Sequence, residues 1–126
     1  MAATILVADM IEEFVSRMFA LRDASHVAHW ASKSYAEHQA LGSFYDDIID
    51  KVDAIIEAYQ GYFGLIGVVN PLPYSRDKIM DQIQAEAKWL GENCDAICRG
   101  NGAVENLLYD LEGMFATTYY KLKNLK

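Results

Sequence analysis

HWASKSYAEHQALGSFYDDIIDKVDAIIEAYQG, residues 29–61, is the stretch on which the reading of this chain turns. Within it Leu41, Tyr45, Ile48, Val52, Ile55 and Tyr59 recur at alternating steps of four and three. That spacing lays one continuous apolar stripe along a helix packed nearly parallel or antiparallel to its neighbours. Ser32 and Ser34 stand just before it, and either can cap the helix start. One step backwards along the stripe lands on His38, which places that imidazole at the edge of the core and not out in solvent.

Three more helices follow from the same periodicity. The first runs from about residue 5 to 31, with Val7, Met10, Ile11, Phe14, Met18, Leu21 and, more loosely, Val27 on its inner face. The second spans about 34–62. The third is expected over 75–99, with Ile79, Ile83, Ala87, Leu90, Cys94 and Ile97 inward. The fourth covers about 103–125 and carries Val104, Leu107, Leu108, Leu111, Met114, Phe115, Tyr119 and Leu122. Arg99-Gly100-Asn101-Gly102 supplies residues that tolerate a left-handed backbone and turns the chain between the last two. With 126 residues, 52% of them apolar, and only two prolines and eight glycines, the chain reads as one all-α domain, residues 1–126, built as a four-helix bundle.

The link between the second and third helices, roughly residues 63–74, holds Gly64, Gly67, Pro71 and Pro73. It is longer than an antiparallel hairpin requires. About twelve residues at roughly 3.3–3.6 Å each reach about 40 Å. A helix of about 28 residues is also about 40 Å long. The link is therefore long enough to run the length of the bundle and start the third helix from the far end. That single crossover distinguishes ferritin-like bundles from up-down-up-down ones, and the run Leu65, Ile66, Val68, Val69 is expected to lie against the bundle side.

Charge and composition exclude several classes. The net charge of −7 repels a phosphate backbone, and no basic arm overrides it. The three lysines of the terminal KLKNLK fit a helix C-terminus better than a nucleic-acid site. No apolar run approaches the roughly 18 residues that cross a bilayer. The first residues have no basic lead and meet acidic residues early, unlike a secretory signal. A soluble protein in the cytoplasm of a bacterium or a phage-infected host is expected. Cys94 and Cys98, four apart on one helix, point roughly parallel, which is poor for a disulfide. Two cysteines alone are too few for a structural zinc site, so reduced, partly buried thiols are the expectation.

The chemistry-bearing residues are His29, His38, Asp53 and Glu57. Two imidazoles and two carboxylates are a ligand set for redox-active iron or a similar transition metal. Asp53 and Glu57 follow His38 by fifteen and nineteen residues. On one helix this puts all three on one broad face, but His38 and Asp53 lie about 22 Å apart along the axis. No single ion reaches both, so a shared site requires a second subunit. Blander readings stay open for each residue. His29 can finish the first helix against the dipole. His38 can be a core-edge histidine with one hydrogen bond. The like-charge pair Asp53 and Glu57 can be relieved by Lys51 or water. His26, one turn before His29, is a lesser candidate, and Trp30 reads as packing. Tyr45, Tyr59, Tyr119 and Tyr120 read as core or interface aromatics.

This pattern resembles the DNA-protection-during-starvation (Dps) proteins, or miniferritins. They show a His-Trp at the end of the first helix, a second histidine early in the second, and an Asp-x-x-x-Glu fifteen residues later. His29-Trp30, His38, Asp53 and Glu57 match, and Gln60-Gly61 closes the helix similarly. The resemblance covers about 35 residues. It implies a homodimer or larger homo-oligomer with His29 and His38 of one subunit facing Asp53 and Glu57 of another. It also implies ferrous iron bound and oxidised between them. The chain is shorter than typical members of that family and departs from them in three further ways. The two histidines are closer by three residues, Gly42 stands where many members carry an acidic residue, and the basic tail is missing. Asp46, one turn on, reads first as part of a solvated acidic face and second as a substitute for that acid. The words SYAEHQALGSFYD also resemble short uncharacterised phage-encoded proteins. The alternative function is therefore a non-catalytic assembly or adaptor bundle that keeps the same fold.

Overall fold

A computed structural model describes residues 2–126, with side chains described from Met10 onward. Its four helices are α1 (Ala2–Ala31), α2 (Tyr35–Phe63), α3 (Ile79–Cys98) and α4 (Gly102–Asn124). There is no strand among the described residues. The chain is an all-α four-helix bundle, as the periodicity predicts.

The helix ends follow local chemistry. At the start of α2, Ser34 accepts the Glu37 amide at 3.3 Å, while Ser32 Oγ holds the preceding turn by accepting the Ser34 amide at 3.2 Å. Of the two serines, Ser34 is thus the cap, with Glu37 at the third helical position in capping-box spacing. Gly64, at φ +94°, ends α2, and its amide donates to the Gln60 carbonyl. Arg99 (φ 53°) and Gly100 (φ 79°) take the left-handed turn after α3. Asn101 then caps α4 by accepting the Val104 amide at 3.0 Å. The α3 start differs from the expectation of 75. The Gln82 side chain donates to the carbonyls of Ser75 and Asp77, and Ser75 Oγ accepts the Asp77 amide. These bonds fold residues 75–77 into a turn lying over the helix start, so regular helix begins only at Ile79.

Packing partners define the topology. α1 lies against α2 and α3, while α4 lies against α2 and α3. The hairpins α1–α2 and α3–α4 are therefore joined side by side by the long segment 64–78. That segment runs along α1: Gly67 donates its amide to Glu12, and Asn70 accepts the Ser16 hydroxyl at 2.6 Å. Leu72 and Pro73 reach the level of Ala20 and Leu21. This is the expected crossover between α2 and α3. It leaves α3 running antiparallel to α1, with Arg17 of α1 bonded to Glu86 at 3.1 Å and lying 4.4 Å from the Trp89 ring centroid. Only half of the crossover's apolar run faces inward. Ile66 and Val69 pack on the core, but Leu65 and Val68 are more than four-fifths exposed. An extended segment on a helix surface can turn only one side to it.

The core matches the stripes with a few corrections. Ile11, Phe14, Met18 and Leu21 of α1 meet Leu41, Ile48, Val52, Ile55 and Tyr59 of α2. Val7 lies outside the described side chains. Val27 is exposed, and Ala24 is buried in its place. On α2 the bulk at the centre comes from Phe44, whose ring meets Phe115 edge-on at 5.2 Å; Tyr45 is half-buried beside it. The middle of the bundle is thus built mainly from apolar side chains, with Ser16 and Thr118 buried among them.

Two carboxylates are uncomfortable. Burial pushes Glu86 above the usual carboxylate range, although Arg17 pulls it the other way. Burial likewise raises Glu112 on α4, whose Oε1 is buried without a hydrogen-bond partner. A carboxyl whose folded pKa is raised stabilises the fold in its protonated form, and that contribution is lost as pH rises through the folded pKa. Glu112→Gln is therefore expected to raise the thermal midpoint at pH 7. The gain should shrink to nothing as pH falls below about 4, where the native carboxyl is itself neutral. Thermal melts across that range check this.

Candidate functional site

His29 and His38 meet at the α1–α2 tip. Their rings stack with centroids 3.7 Å apart and planes 18° from parallel. The bonding is reciprocal. His29 Nδ1 lies 2.6 Å from the His38 carbonyl, and His38 Nδ1 lies 2.9 Å from the His29 carbonyl. A carbonyl only accepts, so each Nδ1 carries its proton and donates. Each imidazole thus staples its own helix to the other, and Nε2 is the nitrogen left over on both.

An aromatic cluster continues from this pair. The His26 ring stacks on Tyr45 at 3.9 Å and 12°, and Trp30 lies 4.4 Å on from His26. Tyr45 presents its edge to His29 at 5.3 Å, and the Arg22 guanidinium stands 5.5 Å from the Tyr45 ring. Trp30 nonetheless stays 69% exposed, so it covers His26 and is not core packing.

Gly42 explains why the two histidines can approach. A Cβ built there would lie 3.1 Å from His29 Cε1 and 3.3 Å from its Nδ1. The His29 ring rests on bare backbone, and a side chain at 42 would press against it closely enough that the ring must shift by a few tenths of an ångström. The shortened loop of residues 32–34 works in the same direction, bringing the end of α1 over the first turns of α2.

Asp53 and Glu57 lie elsewhere. Both are exposed, about 22 Å or more along α2 from His38 at about 1.5 Å per residue. Among the described residues neither takes part in an ion pair, and Asp46 is also exposed. Within one chain the structure joins His29 to His38 and keeps the two carboxylates apart from them, as the helix geometry requires.

Other groups suited to catalysis are muted. Burial, then Cys98 and the carboxylates Glu112, Glu105 and Asp95, push the Cys94 thiol up to about 11. A thiol in that state is a poor nucleophile at neutral pH. Both cysteines are free, and both are buried more fully than the partial burial expected of them.

The chain belongs to the DUF5856 family, described as a family of unknown function, whose model matches residues 29–122. It is also similar to an uncharacterised 14.6 kDa protein of the mobD-ri intergenic region of Enterobacteria phage T4. The two are 27% identical over 116 residues, which cover 88% of this chain and 86% of the phage protein. No solved structure matches the chain. The phage kinship suggested by SYAEHQALGSFYD is therefore met, while the miniferritin likeness rests on residues 29–61. No described helix is long and apolar enough to cross a membrane.

Sequence reasoning missed the role of Gly42 and the His26–Tyr45 stack. The spacing held a signal for both. Gly42 lies four residues after His38, one turn on along the same face, and Tyr45 lies seven after it, two turns on. The expected consequence is a reversal of the usual glycine rule. Gly91, inside α3 with open space about it, should gain about 0.5–1 kcal/mol on change to Ala. Gly42→Ala should instead lower stability, because the new methyl group dislodges His29. Paired urea melts of the two variants check the opposite signs.

Proposed function

We propose that this protein is a non-catalytic helical bundle serving as an assembly or adaptor protein in the cytoplasm of a phage-infected bacterium. The observation that carries this reading is the reciprocal staple of His29 and His38 over Gly42. It gives both imidazoles a complete structural task that needs no ion. The phage relative supports the setting, and the acidic, partly aromatic surface supports a protein partner, a second copy of the chain included.

The second reading is iron oxidation at sites shared between two subunits, with His29 and His38 of one and Asp53 and Glu57 of its twin. Two observations favour it. Nδ1–H bonded to a carbonyl is the orientation that presents Nε2 to a metal, and the carboxylates are exposed to an incoming copy. Against it stands the stack. Lone pairs lie in the ring planes, so two nearly parallel rings 3.7 Å apart do not converge on one ion at about 2.0–2.1 Å. One ring would have to leave the stack and give up its carbonyl.

Anaerobic incubation with ferrous iron, desalting and elemental analysis, followed by peroxide-driven oxidation, separates the two. The expected outcome is oxidation at the rate of free iron, equal in Glu57→Ala and His38→Gln, with no stoichiometric iron that depends on either residue. Iron retained by Cys94→Ser but lost from both of those variants would overturn the reading in favour of the shared site. Light scattering behind size-exclusion chromatography then gives the mass of any assembly.

A further inference from the structure

The opposite end of the bundle holds a second group of donor atoms that neither reading uses. Cys94 and Cys98 occupy the last two turns of α3, and Glu105 lies in the first turn of α4 just across the Arg99–Asn101 turn. One Sγ from each cysteine and one carboxylate oxygen of Glu105 all lie within 4.8 Å of one another. We propose that Cys94, Cys98 and Glu105 form a binding site for a single zinc ion, with the fourth position open to water.

The donor set selects the ion. Two thiolates exclude calcium and magnesium and suit a soft, closed-shell metal, and three protein ligands with one open position is a standing zinc arrangement. The geometry is close to what the ion needs. Tetrahedral zinc with Zn–S near 2.3 Å sets the two sulfurs about 3.8 Å apart, so contraction by about 1 Å at most is required. Side-chain rotation supplies that without moving the backbone. The backbone is itself fixed, by the left-handed Arg99 and Gly100 and by the Asn101 cap on Val104.

The electrostatics ask for a cation. The charged groups acting on Cys94 are Glu112, Glu105 and Asp95, all negative. The cysteines also sit at the negative end of the α3 dipole. Arg99, the basic residue next in the chain, turns away, its guanidinium 4.3 Å from the Phe63 ring centroid and in reach of the Tyr59 hydroxyl. Glu112, two turns along α4 from Glu105, keeps one buried oxygen without a partner. A dication answers all of these at once. On binding, each thiol gives its proton to solvent and its sulfur lone pair to the ion. Two protons leave per zinc, and the site with Glu105 carries a net charge of −1.

The test uses the full chain, reduced and freed of metal, titrated with Zn²⁺ and with Co²⁺ as a spectroscopic stand-in. The expected result is one ion per chain, two protons released per ion into weak buffer, a higher thermal midpoint, and Co²⁺ spectra with thiolate charge-transfer and tetrahedral ligand-field bands. Cys94→Ser and Cys98→Ser should abolish the charge-transfer signature. Glu105→Gln should retain the thiolate bands while weakening affinity by about tenfold or more. His38→Gln and Glu57→Ala should leave zinc binding unchanged, which keeps this site distinct from the readings above. Absence of a thiolate band, or stoichiometric zinc that survives Cys94→Ser, overturns the proposal. So does one zinc per two chains with a doubled mass. If a cysteine variant fails to fold, Glu105→Gln at the half-buried α4 position decides, and unchanged affinity there overturns the assignment.

Discussion

The packing of segment 64–78 on α1 is the constraint from which the rest of the bundle follows. A segment without regular secondary structure, laid on a helix, brings amides and carbonyls that the helix cannot satisfy from its backbone, and buried ones must be bonded. Two α1 side chains meet this need. The buried Glu12 takes the Gly67 amide, and the buried Ser16 gives its hydroxyl proton to the Asn70 carbonyl. With those anchors the chain can climb along α1 and begin α3 beside it, antiparallel, and Arg17 then locks the pair through Glu86 and Trp89. A direct hairpin at this point would have placed α3 beside α2. The crossover is why α4, and not α3, covers the Phe44 side of α2.

That topology also places a cluster of chemistry-bearing side chains at each end. The α1–α2 tip, with the α4 C-terminus beside it, gathers the imidazoles and aromatic rings. The α3–α4 turn, near the end of α2, gathers thiols and carboxylates. Between them Phe14, Phe44, Ile48, Leu111 and Phe115 fill the centre with apolar bulk. Di-iron bundles carry their carboxylates inward at mid-helix. This bundle fills much of that region with phenylalanine, and the donor clusters described above lie at its ends.

Helix number, order and the inner faces were legible because they depend on periodicity, which a sequence carries directly. Leu41 to Tyr59 in α2 and Val104 to Leu122 in α4 fell where their spacing put them. The crossover was legible from length and glycine–proline content. Its anchors were not, since Glu12 and Ser16 look like ordinary polar positions on an amphipathic helix until a partner from residue 67 or 70 is known. The α3 start was misread because Gln82 bonds backwards to Ser75 and Asp77, a side-chain choice that propensity does not encode. His38 at the core edge was foreseen from the stripe, whereas its ring partner was not. Glu105 was likewise invisible as a companion of Cys94, because eleven residues and a turn separate them in sequence.

Gly42 shows how one position without a side chain can redirect the meaning of the residues around it. Stacking needs two imidazoles face to face with the backbone close beneath, whereas chelation needs their edges to converge. An acidic side chain at 42 would crowd the His29–His38 stack, because its first atom would already stand 3.1 Å from the His29 ring. Glycine admits the ring, the ring reaches the His38 carbonyl, and the return bond from His38 to the His29 carbonyl closes the staple. The trimmed loop and the missing acid, which read separately as two departures from a metal-binding pattern, are thus one structural choice. Both serve to bring the end of α1 down onto α2.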